Sequence, residues 1–176
     1  MKPTILEGKA IVIKDSTGKA IDDIDTDMIF HNKHLHITDI DEMGQYAFGN
    51  LQGWEAFSKN ARSGDILVVG KNFGAGSSRQ QAVDCFRALG IQMIIGESFG
   101  AIYKRNAINS GMPLMTAPEI MNEDIKSSDK IQVNLKTGEI VNITNNQSLK
   151  TGLPLSKVQL DIYQAGTLFD YGRTLE

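Results

Sequence analysis

The stretch from residue 66 to residue 95, ILVVGKNFGAGSSRQQAVDCFRALGIQMII, decides the expected fold. Two segments of it, Ile66–Val69 and Gln92–Ile95, are short and mainly apolar, which is typical of strands that are buried on both faces. Between them, a glycine-rich turn leads into a predicted helix from about Ser78 to Leu89, whose apolar residues recur at spacings of three and four. The order of strand, helix and strand predicts parallel strands joined by a crossover helix.

The chain on either side of this stretch completes an α/β pattern. Lys9–Ile13 is a strand-like run, and a second helix is expected from Ser98, as its cap, to about Ser110. Residues 131–143 alternate in polarity around the turn residues 136–138, which predicts an antiparallel hairpin. We therefore expect an α/β fold in which a parallel strand–helix core is flanked by β-rich segments.

Length and composition favour one folded unit and exclude several classes of function. The 176 residues are 41% hydrophobic and 22% charged, so we expect a single globular domain over residues 1–176. The formal net charge of −3 argues against a nucleic-acid-binding protein, which needs a basic face. No apolar run approaches the roughly 20 residues of a membrane span. With no secretory signal at the start either, we expect a cytoplasmic protein without a membrane partner.

The chain has one cysteine, Cys85. A single thiol excludes an intramolecular disulfide and an iron–sulfur centre built from this chain's own thiolates, because such a centre takes several of them. Cys85 lies on the apolar stripe of the predicted helix, where we expect an inert buried thiol. The sequence therefore predicts that this chain binds no cofactor or metal of its own.

The loop of residues 71–79 carries the most informative chemistry. Gly74 and Gly76 let the main chain approach a ligand closely, and the helix start that follows offers unpaired N–H groups to an anion. Arg79 has a planar fork that matches a carboxylate or a phosphate through two parallel hydrogen bonds. A tight glycine turn with a serine cap and an incidental surface arginine is an equally simple interpretation of the same residues.

A nucleotide-binding loop would have a different pattern. A P-loop needs Lys followed by Ser or Thr after its last glycine, whereas Ser77 and Ser78 follow Gly76 here. The dinucleotide fingerprint needs a third small residue at the position that Arg79 occupies. A small carboxylate is therefore the expected ligand. A non-catalytic module that binds an anion or a nucleotide remains an alternative of a different class.

Three ordered motifs resemble the small subunit, or swivel domain, of the aconitase superfamily. They are DIDTD at residues 23–27, GKNFGAGSSR at residues 70–79, and the run from Gly96 to Gly111. The resemblance is strongest to the small subunits of the 3-isopropylmalate dehydratase and homoaconitase type. It implies the swivel fold and a hydro-lyase that removes water from a small hydroxy acid with two or three carboxylates and adds it back, with leucine biosynthesis as the expected setting.

The resemblance also implies roles for residues and for a partner. Ser77 would be the base that takes a proton from carbon, and Arg79 would hold a substrate carboxylate. Ser78 and the backbone near Gly76 would complete the pocket for the anionic substrate. A large subunit would carry a 4Fe-4S cluster that binds the departing hydroxyl, in a heterodimer or a heterotetramer with this chain.

Ser77 is not expected to act without that partner. Forming an alkoxide from an alcohol at neutral pH costs roughly 11 kcal/mol, because the pKa of the alcohol lies about 8 units higher. A helix N-terminus returns at most about 2 kcal/mol. Arg79 adds about 1.5–3 kcal/mol as a charged hydrogen-bond partner. The remainder has to come from a partner's metal cluster and a desolvated cleft.

All three histidines lie in residues 30–39, FHNKHLHITD. In the family that the chain resembles, this loop helps to choose the substrate's side group, so we expect His34 and His36 at the substrate. A neutral imidazole at position 36 leaves isopropyl, homoaconitase-like, aconitase-like and methyl-substituted malate substrates open. A plain surface loop is a second interpretation of the histidine segment. A zinc site is a third, but an extended backbone would place His34 and His36 on one face and His31 on the other.

Overall fold

The computed structural model describes all 176 residues, and its centre is one mixed β-sheet of seven strands. In chain order the strands are β1 (Ile5–Val12), β2 (Ile66–Val69), β3 (Met93–Gly96), β4 (Leu114–Thr116), β5 (Lys130–Asn134), β6 (Ile140–Asn142) and β7 (Gln147–Ser148). The helices are α1 (Thr26–Ile29), α2 (Ile40–Met43), α3 (Phe57–Asn60), α4 (Gln81–Ala88), α5 (Ala101–Asn109), α6 (Lys157–Ala165) and α7 (Leu168–Arg173). None of these helices is both long and apolar enough to span a bilayer.

β1 joins a parallel half of the sheet to an antiparallel half, and the strand order is β4-β3-β2-β1-β5-β6-β7. The later residues of β1 pair with β2 in parallel, with Ala10 opposite Ile66. Its earlier residues pair with β5 in antiparallel, with Leu6 opposite Val133. The prediction of an α/β fold with a parallel strand–helix core is confirmed, and the remaining strands are gathered on one side of that core.

Two separate apolar cores cover the two faces of the parallel half. On β2, Leu67 and Val69 pack into one core, whereas Ile66 and Val68 pack into the other. Successive side chains of a strand point to opposite faces of the sheet. Since a core covers each face, all four side chains are fully buried. This burial on both faces explains why the strand reads as an uninterrupted apolar run.

α4 begins later than the sequence predicts. Its first residue is Gln81, whereas the apolar spacing placed the start near Ser78. The Thr26 hydroxyl donates to the Ser77 carbonyl over 3.0 Å, and this contact ties the backbone at Ser77 to α1. Residues 77–79 belong to the loop, and Gln80 is the N-cap residue of the helix.

The predicted cap of the second helix is also wrong. α5 begins at Ala101, with Gly100 as its N-cap residue. The Ser98 hydroxyl instead accepts a hydrogen bond from the Asn72 N–H over 2.8 Å. Ser98 thus ties the loop after β3 to the glycine-rich loop after β2, which is a tertiary contact that local sequence patterns do not report.

Cys85 is a structural residue, as the sequence predicts. Its side chain is completely buried in the core, and its thiol donates to the Ala82 carbonyl over 3.7 Å. Burial raises the pKa of the Cys85 thiol far above its ordinary value. The thiol therefore stays protonated and inert at neutral pH.

Candidate functional site

The loop of residues 70–79 leaves β2 at the carboxyl edge of the parallel strands and is anchored on one side to the chain before α1. The Gly74 N–H donates to the Ile24 carbonyl over 2.8 Å, and the Thr26 N–H donates to the Ala75 carbonyl over 2.9 Å. These two hydrogen bonds align the loop in parallel with the segment that leads into α1. Ligand sites of open α/β sheets lie at this same edge.

The other side of the loop is anchored to the turn between β3 and α5. The Phe73 N–H donates to the Ser98 carbonyl over 3.1 Å, and the Gly100 N–H donates to the Phe73 carbonyl over 2.9 Å. Hydrogen bonds on both sides fix the backbone of the loop before any ligand arrives. Such a preorganised backbone does not have to reorder when it binds a ligand.

Gly74 is the position at which this packing requires glycine. Its φ is +81°, and a Cβ built on it would lie 2.2 Å from Cγ of Tyr103. Tyr103 cannot give way, because it is 2% exposed and its hydroxyl donates to the Ala82 carbonyl over 2.9 Å. The glycine therefore serves the close approach of the loop to α5.

We expect Gly74→Ala to lower the free energy of unfolding by about 2–5 kcal/mol. A left-handed conformation costs a non-glycine residue about 1–2 kcal/mol, and overpacking against Tyr103 costs about 1–3 kcal/mol more. Gly53→Ala is the matched control, because Gly53 has a φ of +87° with no atom within 4 Å of its Cβ position. Thermal unfolding of both variants checks this, and equal losses would contradict the role of the Tyr103 contact.

Ser77 has a free hydroxyl. The residue is exposed, and its Oγ makes no hydrogen bond within the chain, whereas its carbonyl oxygen is held by the Thr26 hydroxyl. The backbone of Ser77 is thus fixed while its side chain stays available. This is the arrangement that a residue acting on an outside molecule needs.

Three consecutive backbone amides beside this hydroxyl are also unpaired. The N–H groups of Ser77, Ser78 and Arg79 make no hydrogen bond within the chain. They precede the first turn of α4, where the helix dipole adds a partial positive charge. Successive free N–H groups of this kind form a concave site for an anion. Three backbone donors without a partner in the chain thus follow Gly76, and they belong to the loop and not to the helix itself.

The Arg79 guanidinium is anchored by one of its nitrogens. Its side chain is 11% exposed, and Nη1 donates to the Phe30 carbonyl over 2.6 Å and to Oδ1 of Asp27 over 3.1 Å. The other two nitrogens, Nε and Nη2, make no hydrogen bond within the chain. Since no completely buried side-chain nitrogen lacks a partner, each of these two nitrogens keeps some exposed surface. Half of the guanidinium fork is therefore held in place, and the other half is free for a carboxylate.

Asp27 holds Arg79 in this position, a role that the sequence analysis missed. Desolvation acts to raise the pKa of Asp27, but hydrogen bonds from the Asn32 N–H and the Arg79 guanidinium outweigh it and hold the pKa below its ordinary value. The carboxylate also accepts from the Asn50 amide over 3.1 Å. The ion pair joins residues 52 positions apart, and the only signal for it in the sequence was the aspartate-rich motif.

His34 is a packing residue of the histidine segment. Its ring stacks on Tyr46 with centroids 3.9 Å apart and meets the edge of Phe30 at 6.1 Å. Burial, with a smaller contribution from the Lys33 charge, lowers the pKa of His34 below its ordinary value. The imidazole is therefore neutral at pH 7 and is held in one orientation by its aromatic neighbours.

His36 and His31 lie in different surroundings. The side chain of His36 is exposed and makes no hydrogen bond, while Nδ1 of His31 accepts from the Lys33 N–H over 3.0 Å. The segment is not extended, because Asn32–His34 form a 3-10 turn. This turn brings the rings of His31 and His34 to within 6.4 Å of each other. No three His, Cys, Asp or Glu side chains are grouped to hold a metal ion.

The structure brings the histidine segment to Arg79 through backbone groups. Besides the Phe30 carbonyl that Arg79 holds, the Leu35 carbonyl accepts from the Gln81 amide at the start of α4 over 3.3 Å. Neither His34 nor His36 is hydrogen-bonded to Arg79. The predicted site residues therefore lie in adjoining segments at one edge of the sheet.

This edge of the sheet is an open face and not a closed cleft. None of the five main surface pockets is lined by Ser77, Ser78 or Arg79. An apolar pocket of about 260 Å³ is lined by Trp54 and Phe57 and lies by the amino end of β2. An open face leaves a bound substrate in contact with water, so these residues alone cannot desolvate it.

Comparison with known proteins places this geometry in a family. The profile of the aconitase C-terminal domain matches residues 14–119. A 3-isopropylmalate dehydratase small subunit of Sulfurisphaera tokodaii is 41% identical over 95% of this chain and 92% of its own. An isopropylmalate/citramalate isomerase small subunit of Methanocaldococcus jannaschii is 39% identical over 91% of this chain and 93% of its own. The crystal structure of a 3-isopropylmalate dehydratase from Methanocaldococcus jannaschii superposes with a TM-score of 0.84 at 33% identity, over 97% of this chain and 95% of that one.

Proposed function

We propose that this chain, which belongs to the aconitase C-terminal domain family, is the small subunit of a hydro-lyase of the 3-isopropylmalate dehydratase type. The substrate class is a small hydroxy acid with at least two carboxylates, and the reaction removes water and adds it back. The names of relatives that align over nine-tenths of both chains support this assignment. Leucine biosynthesis is the corresponding setting.

One observation carries the assignment of roles: a loop with a hydrogen-bonded backbone presents the unpaired Ser77 hydroxyl and, two residues later, the half-free guanidinium of Arg79. We assign the removal of the proton from carbon to Ser77 as its alkoxide, after the hydroxyl has lost its own proton in the assembled site. The transfer leaves a neutral hydroxyl on Oγ and the electron pair on the substrate carbon. Arg79 binds a substrate carboxylate with its free nitrogens. Ser78 and the free amides next to Gly76 bind the remaining negative charge.

The proposal requires a partner, the large subunit. The open face cannot exclude water, and no group on this chain meets the roughly 11 kcal/mol cost of an alkoxide at neutral pH. The residues of this chain do not fit an iron–sulfur cluster, because its only thiol, Cys85, is completely buried in the core. We therefore assign the 4Fe-4S cluster to the large subunit, and we place the heteromer, with residues 1–176 acting as one swivel-type domain, in the cytoplasm.

The side group of the substrate is proposed from the names of similar proteins and from the surroundings of His36. His36 is exposed and uncommitted, and it offers neither a fixed charge nor an apolar pocket. One similar protein is named an isopropylmalate/citramalate isomerase small subunit. A methyl-substituted malate is therefore the second candidate substrate after the isopropyl one, and a homoaconitase-like or aconitase-like acid is a further alternative.

Reconstitution tests the proposed function. We expect this chain and the large subunit from the same source to interconvert 2- and 3-isopropylmalate when mixed under anaerobic conditions, and each to be inactive alone. A panel of 2- and 3-substituted malates, including citramalate, identifies the side group by comparing kcat/KM. Full activity of this chain alone, stripped of iron, would overturn the proposal.

A titration separates the proposal from the alternative of a non-catalytic nucleotide module. We expect no binding of ATP or NAD to this chain at micromolar concentrations, because Arg79 and the loop lack the phosphate-binding pattern. Isothermal calorimetry of the free chain measures this. A stoichiometric micromolar site for either nucleotide would favour the module.

A further inference from the structure

Asn106, on α5, contacts the loop at a residue that we place in the anion pocket. Its Nδ2 donates to Oγ of Ser78 over 3.1 Å. A serine hydroxyl has one hydrogen and two lone pairs. Since Oγ accepts from Asn106, the hydroxyl hydrogen of Ser78 remains available for an acceptor elsewhere.

No group of this chain accepts that hydrogen. Ser78 is exposed, and its hydroxyl donates to no carbonyl, carboxylate or side-chain oxygen of the protein. The neighbouring N–H groups of Ser77 and Arg79 are unpaired as well. The Ser78 hydroxyl therefore adds a further donor to a group of donors that have no acceptor within the chain.

Asn106 is not needed to hold α5 against the loop. The Gln80 amide donates to the Ser110 hydroxyl over 2.7 Å, and the Ser110 hydroxyl donates to the Asn106 carbonyl over 2.9 Å. Gly74 packs on the opposite end of the helix, against Tyr103. These contacts fix the two ends of α5 independently of the Asn106 side chain.

We propose that Asn106 is a positioning residue that commits the Ser78 hydroxyl to donating its hydrogen to a carboxylate of the substrate. The inference rests on the proposed function and deepens it. An amide at this position supplies a donor to Ser78, whereas an acceptor would attract the hydroxyl hydrogen away from the ligand. The chemistry of residue 106 therefore contributes to carboxylate binding without touching the substrate.

Asn106→Asp in the reconstituted pair tests the inference. The side chain keeps its size, but its carboxylate accepts the hydrogen of Ser78 and reverses the direction of the bond. We expect KM for the isopropylmalate substrate to rise about tenfold or more, because a hydrogen bond to a charged group is lost, with kcat little changed. Asn106→Ala frees the hydroxyl without reversing it, so its KM should rise by less, about threefold.

Asn109→Asp is the matched control for charge, because it places the same carboxylate on α5 at a side chain that makes no hydrogen bond. We expect its KM to stay within about twofold of wild type, since the added charge is screened by solvent. In a Ser78→Ala background, Asn106→Asp should raise KM no further. The inference is overturned if Asn106→Asp resembles Asn106→Ala or Asn109→Asp, or if its effect persists without the Ser78 hydroxyl. An inactive wild-type pair would instead contradict the proposed function.

Discussion

Ser77→Ala is expected to lower kcat of the reconstituted pair by about 10³-fold. A residue that transfers a proton in the transition state contributes typically about 10²–10⁴-fold to the rate, and alanine has no atom that could take the proton from carbon. KM should change little, because Arg79 and the loop amides still bind the carboxylates. Steady-state kinetics of the pair, monitored by the absorbance of the unsaturated intermediate acid, measures both constants.

The same substitution should leave the fold intact. The Ser77 hydroxyl is exposed and makes no hydrogen bond, and the Thr26 hydroxyl bonds to a backbone carbonyl that alanine retains. The free energy of unfolding should therefore stay within about 0.5 kcal/mol of wild type. Ser16→Ala, at an exposed turn serine, is the control and should alter neither quantity. A kcat within tenfold of wild type would remove Ser77 from the role of base.

The parts of the fold that follow from local patterns were predictable from sequence. The runs Ile66–Val69 and Gln92–Ile95 correspond to β2 and β3, shifted by one residue in β3. The hairpin around residues 136–138 joins β5 and β6 in antiparallel. Each of these predictions rests on residues within about ten positions of one another, where periodicity and turn chemistry act directly.

The errors occur where a distant residue determines the backbone. Ser98 could have capped a helix by local criteria, but the Asn72 N–H binds its hydroxyl from another loop. α4 starts late, after a loop whose Ser77 carbonyl is held by Thr26, 51 residues away. The pairing of β1 with both β2 and β5 is likewise a long-range property, so the sequence predicted the strands and not their order.

The candidate site was likewise predictable where it depends on local sequence and not where it depends on long-range contacts. The glycine loop indicated Arg79 by residue type and spacing, and the family resemblance added Ser77 and Ser78. The structure places all three residues on one loop. Apart from the aspartate-rich motif that contains Asp27, no sequence signal showed that Arg79 is half engaged, because its shortest contact is to the backbone carbonyl of Phe30. A carbonyl is present at every position, so its use as an acceptor follows only from the fold.

The half-engaged state of Arg79 determines what Arg79→Lys should do. Lysine carries a single ammonium nitrogen. If that nitrogen replaces Nη1 at the Phe30 carbonyl and at Asp27, no second, coplanar pair of donors remains for a substrate. We expect kcat/KM of the reconstituted pair to fall by about 10²-fold, mainly through KM, because one charged hydrogen-bonded contact to a carboxylate is lost.

Arg87→Lys is the matched control. Arg87 lies on α4, the helix that Arg79 precedes, and it also forms an ion pair through one nitrogen, with Asp84 over 2.8 Å. Arg87 lies away from the loop, so kcat/KM of Arg87→Lys should equal that of wild type. The ion pair of Arg87 with Asp84 has the same chemistry as the ion pair of Arg79 with Asp27. Thermal unfolding of both variants separates a loss of substrate binding from a loss of the Asp27 contact. If Arg79→Lys keeps the wild-type KM, the free nitrogens of Arg79 do not bind the substrate, and the carboxylate must be held by the loop amides and the partner alone.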